Sequence, residues 1–189
     1  MREDLEQKRK EFAQMRKEAE QKRQELEKKL ADEFPFMKRG EGYKEQQESG
    51  RIYDLYGAYG CEVGSGWYEV LRGLCTEVTA IYERAGIPVD IIVDQVKEKF
   101  GTLRFYYHPE GYDPCIHAFD LSGGPSLRAK VGNTDIHREV AIIVRKWEKQ
   151  SGSVCEECGA PGALRNDIGY LVQTLCDSCY TQIKQKFIE

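Results

Sequence analysis

Two pairs of cysteines carry the strongest chemical signal in this sequence: Cys155-Glu-Glu-Cys158 and Cys176-Asp-Ser-Cys179. Two residues separate the partners of each pair and 17 separate the pairs, the spacing of a four-thiolate zinc site. A two-residue spacer lets a tight turn aim both sulfurs at one ion while backbone N–H groups of the turn hydrogen-bond the thiolates. Gly159, directly after Cys158, suits the backbone such a knuckle needs. Four thiolates fill a tetrahedron and leave no position for water or substrate, so the expected role of the zinc is structural. Residues 152–189 hold too few apolar side chains for an independent core, and metal binding there would be folding free energy.

Other candidate groups are weaker. His108, Cys115 and His117 lie in a stretch with Pro114, Pro125 and four glycines (residues 108–133), where they offer a second metal site or a catalytic group. Ordinary loop residues are the simpler reading. Pro88-Val-Asp90 and Gln95-Val-Lys97 resemble the two ends of a metal-dependent nuclease motif, but lie too close in sequence for adjacent strands. Phe100, Arg104, Tyr106 and the nearby Lys97 and Lys99 combine aromatics with cations, as a single-stranded DNA or RNA binder would. Core packing is the simpler role for those aromatics. No nucleophile–base pair, glycine-rich phosphate loop or paired-carboxylate signature stands out, so the chain is read as non-enzymatic, without catalytic residues.

Composition narrows the class. With 28 Lys and Arg against 32 Asp and Glu among 189 residues, the formal net charge is −4, which excludes the simplest basic nucleic-acid binder. Residues 152–189 carry only Arg165, Lys184 and Lys186 as cations against five anions, too few for strong phosphate binding. A local patch of Lys97, Lys99, Arg104, Arg145 and Lys146 is a matter for the fold. Seven cysteines, an odd number, in a chain whose first residues lack an apolar signal region argue for free thiols in a reducing compartment. No apolar run reaches the roughly 20 residues of a membrane span. A cytoplasmic location is expected, with Cys75 a small buried hydrophobe.

The elements that would position these groups form an α+β arrangement. Residues 1–34 read as a charged helix in which 10 basic and 9 acidic residues interleave over the first 32 positions. Leu5, Phe12, Ala19 and Leu26 recur every seven residues, but Lys8, Met15, Lys22 and Lys29 occupy the matching positions, which leaves half a coiled-coil seam. That pattern fits a solvated helix docked through one narrow stripe, or paired with a partner or a second copy. Residues 35–60 read as a linker and 61–150 as the core. In the core a helix over 66–85 is capped by Ser65 and closed by Gly86, strands at 89–96 and 102–107 form a hairpin, and a second helix spans 134–150. Residues 151–189 read as a zinc ribbon or treble-clef-like module with a strand at 170–175 and a helix from Asp177.

Gln95-Val-Lys-Glu-Lys-Phe-Gly-Thr-Leu-Arg-Phe-Tyr-Tyr107, together with Cys155-Glu-Glu-Cys-Gly-Ala-Pro-Gly162, Thr174-Leu-Cys-Asp-Ser-Cys179 and Gly66-Trp67, resembles a group of small bacterial and phage proteins of unassigned function. The resemblance covers about residues 61–180 and leaves the charged helix outside. It implies a phage or mobile-element origin and action on a host protein, in the host cytoplasm. The expectation is a zinc-stabilised protein-interaction module that regulates or inhibits a host or cellular complex. A single-stranded DNA or RNA binder and a metal-dependent nuclease are the alternatives.

Overall fold

The N-terminal charged segment forms helix α1, Arg2–Glu33, in a computed structural model that describes residues 2–40, 48, 50, 54–111 and 135–188. Its C-terminal turns dock through Leu30, with Phe34 just beyond the helix, and both are buried. This differs from the heptad stripe: Ala19 is exposed and Leu26 half-buried, while the side chains of Leu5, Phe12 and Met15 lie outside the described residues.

The described parts of 35–60, read from sequence as a linker, are stitched onto the core. Met37 and Tyr56 are buried there, and the Tyr56 hydroxyl donates to the Met37 carbonyl at 2.8 Å. A short helix α2, Leu55–Tyr59, is capped by Asp54, whose carboxylate accepts the Gly57 N–H. Arg39 donates to the Gly57 and Ala58 carbonyls, and Glu27 of α1 accepts the Cys61 N–H at 2.6 Å. These anchors are single side chains reaching backbone atoms, so no periodic pattern announces them.

The central sheet has the order β1-β2-β3. Strand β1 (Cys61–Glu62) runs parallel to β2 (Ile91–Lys99), and β3 (Thr102–Pro109) pairs antiparallel with β2. Helix α3 (Tyr68–Ala85) buries the face carrying Leu74, Cys75 and Val78 as its periodicity required. Gly86 closes it in the left-handed conformation. Helix α4, Asp135–Ser151, adds Val140 and Val144 to the same core as Val96, Leu103 and Phe105. Ser65 does not cap α3 as expected; it lies in a 3-10 turn, Ser65–Trp67, and donates to the Glu157 carbonyl. The turn is seated on the C-terminal module, and this contact takes the hydroxyl.

Strand β3 would present bare N–H groups on its outer edge, a hazard for sheets. Helix α4 covers them: Glu148 accepts the Phe105 N–H at 3.0 Å and Ser151 accepts the Leu103 N–H at 2.8 Å. Both side chains are buried. The C-terminal module consists of a hairpin, β4 (Ala163–Ile168) and β5 (Leu171–Leu175), followed by helix α5, Asp177–Ile188.

Candidate metal centre

The four cysteines converge. The sulfurs of Cys155, Cys158, Cys176 and Cys179 all lie within 4.8 Å of one another, and those of Cys158 and Cys176 are 3.6 Å apart. A tetrahedral ion bonded to sulfur at about 2.3 Å requires sulfur separations near 3.8 Å, so the donor set fits one such ion. Two knuckles supply it. In the first, the Cys155 carbonyl accepts the Gly159 N–H at 2.9 Å, the Cys155 N–H donates to Ala160, and Gly159 takes φ 79°. In the second, the first turn of α5 brings the Cys179 N–H to the Cys176 sulfur at 3.4 Å. That N–H pulls the Cys176 thiol down to about 7, while burial raises the Cys179 thiol and the Cys155 sulfur raises that of Cys158, so an ion must displace protons from the cluster to bind it. Cys155 is fully buried while Cys158 is exposed, so the centre sits at the edge of the module with one wet side.

What holds the module in place is a close approach between chain segments about 90 positions apart. The Gly66 N–H donates to the Glu156 carbonyl at 2.7 Å, and a Cβ on Gly66 would lie 2.3 Å from the Cys155 carbonyl oxygen. Only glycine permits that approach. Trp67 Nε1 donates to the Val154 carbonyl at 2.7 Å. Glu156, between Cys155 and Cys158 in the chain, turns inward: its carboxylate accepts the Gly64 N–H at 3.0 Å and Gln173 Nε2 at 3.3 Å. Burial pushes this carboxyl up to about 7. Gly64, Gly66, Trp67 and Glu156 thus form the seat of the metal knuckle, none of it assigned by spacing rules. The Gly66-Trp67 pair was its only outward signal.

The remaining candidates are dispersed. His108 Nδ1 pairs with Asp94 at 2.7 Å, where Asp94 sits at a register shift of the β2–β3 ladder; Cys115 and His117 lie outside the described residues. Asp90 accepts the Tyr82 hydroxyl and lies 3.2 Å from His137 Nε2. Lys97 is seven residues further along an extended chain, roughly 23 Å away, so the two ends of the nuclease-like motif are not brought together. Cys61 and Cys75 are both buried; burial pushes Cys61 up to about 12 and raises Cys75 as well. Lys146 pairs with Glu77 of α3, and so belongs to the helical side rather than the hairpin.

Lys97, Lys99, Arg104 and Tyr106 do share one face of the hairpin, opposite the face that buries Val96, Leu103 and Phe105. Lys97 Nζ lies 5.5 Å from the Tyr106 ring centre and Lys99 Nζ 5.5 Å from that of Phe100. Among the described residues no helix is long and apolar enough to cross a membrane. Compared with known proteins, the chain matches no family model, no curated protein and no solved structure.

Proposed function

We propose that this chain is a zinc-stabilised, non-enzymatic protein-interaction module that binds a cellular partner and regulates it. The observation that carries the reading is the four-cysteine cluster: its sulfurs all lie within 4.8 Å of one another, so a tetrahedral ion bound there would have all its positions filled by protein. A thiolate set of this kind takes zinc readily, and a saturated zinc stabilises structure rather than polarising a substrate. The knuckle is also built into the core through Gly66, Trp67 and Glu156, which makes the metal a fastener for a binding surface.

Two measurements test this. Elemental analysis of natively purified protein is expected to find one zinc per chain, and cobalt substitution to give a tetrahedral thiolate spectrum unmoved by added anions. Mass spectrometry of an affinity-purified complex is expected to find a stoichiometric protein partner. Absence of zinc, an anion-sensitive cobalt spectrum, or co-purification of nucleic acid alone overturns the proposal.

A further inference from the structure

The β2–β3 hairpin turns through Phe100 and Gly101, both at positive φ (55° and 75°). A two-residue turn of this kind favours Asn-Gly; a bulky side chain at its first position is a backbone outlier. Phe100 is moreover 62% exposed, so burial does not compensate the strain. Neither turn propensity nor core packing accounts for a phenylalanine here, and strain of this kind persists where surrounding structure holds it in place.

The metal module does that holding. The Thr174 hydroxyl donates to the Gly101 carbonyl at 2.7 Å, and Leu164 of β4 rests on Gly101, where an added Cβ would lie 2.2 Å from its Cδ1. Leu164 is itself 53% exposed. Phe100, next to Gly101 in the chain, and Leu164, resting on Gly101, thus stand as two exposed apolar side chains about one glycine, an apolar knob at the junction of hairpin and metal module. Beside it, on the hairpin face, stand Lys97, Lys99 and Arg104. Of the anions nearby, Glu98 is turned to the Gly101 N–H, and Glu62, in register with Lys97, accepts from Gln95.

We propose that the Phe100–Leu164 knob with its Lys97, Lys99 and Arg104 flank is the docking surface for an acidic protein segment that presents a large apolar side chain. The cations select negative charge, and the knob supplies the apolar anchor around which interface energy concentrates. Single-stranded nucleic acid fits less well. Three cations release at most about three counterions, and Leu164 offers no face on which a base can stack.

The proposal rests on the protein-interaction reading, and one experiment separates their failures. A random dodecapeptide display library is selected on zinc-loaded full-length protein and, in parallel, on Phe100→Asn, which keeps a residue suited to the turn. The expected result is enrichment on the wild type of peptides with Asp and Glu around an aromatic or branched aliphatic residue. A selected peptide should bind Phe100→Asn and Leu164→Ser at least about tenfold more weakly, while Phe100→Asn melts no lower than the wild type. Equal enrichment on Phe100→Asn, or peptides without acidic residues, overturns the docking surface but leaves the interaction reading standing. No enrichment on any target removes both. Oligo-dT binding that weakens steeply with salt and is lost in Phe100→Asn would replace the acidic peptide with nucleic acid.

Discussion

Thr174 Oγ1 donates to the Gly101 carbonyl at 2.7 Å, so a buried hydroxyl two residues before Cys176 of the cysteine cluster holds the turn of a hairpin more than 70 positions earlier in the chain. The metal module and the central sheet are joined at this point as well as at the Gly66 seat. Thr174→Val keeps the shape and removes the donor, leaving the Gly101 carbonyl without this partner. A loss of about 1–2 kcal/mol is expected from denaturant unfolding at saturating zinc, with zinc stoichiometry unchanged. An unaltered unfolding midpoint would show that the two units are not coupled through this bond.

Metal removal has a residue-specific signature. Chelation should open the knuckles and render Cys155, Cys158, Cys176 and Cys179 available to an alkylating reagent. Cys61 and Cys75, whose thiols burial holds in the protonated form, should stay unmodified until the core unfolds. Peptide mapping of alkylated protein before and after chelation reads both outcomes. Trp67 fluorescence should shift with the same treatment, because its indole N–H is bonded to the Val154 carbonyl, next to Cys155.

Glu156 makes stability depend on pH in a direction opposite to that of an ordinary ion-paired carboxylate. Burial raises its carboxyl from the usual carboxylate range to about 7, so the folded state binds a proton more tightly than the unfolded chain does. Its contribution is present below about pH 4.5, declines as pH rises, and is lost above about pH 7. Thiolate–metal binding strengthens over the same range, so the comparison must be differential. At saturating zinc, Glu156→Gln should gain relative to the wild type between about pH 5 and 7, by at most about 3 kcal/mol. A constant difference across that window would mean the carboxyl titrates normally.

Glu148 should be irreplaceable by an apolar residue of similar size. Glu148→Leu deprives the buried Phe105 N–H of its acceptor and should cost about 1–3 kcal/mol, while Glu148→Gln, which retains an acceptor oxygen, should cost less.

The sequence alone determined which four cysteines would cluster, the buried face of α3, its Gly86 terminus, the two core strands and the helix that follows Cys176. Each of these is written within a short window: a two-residue spacer, a 3.6-residue period, an alternation, a turn glycine. Only the tertiary structure decided that Leu30, Phe34, Met37 and Tyr56 complete the core, that Ser65 serves the first cysteine knuckle instead of a helix end, and that Gly66, Trp67 and Glu156 seat the Cys155–Cys158 pair. It also decided that Glu148 and Ser151, polar residues on an otherwise amphipathic helix, turn inward to satisfy a strand edge. The physical reason is the same in each case. A buried backbone N–H or carbonyl must find a partner, but which side chain meets it depends on how distant segments come to lie together, and no local pattern of residue types records that.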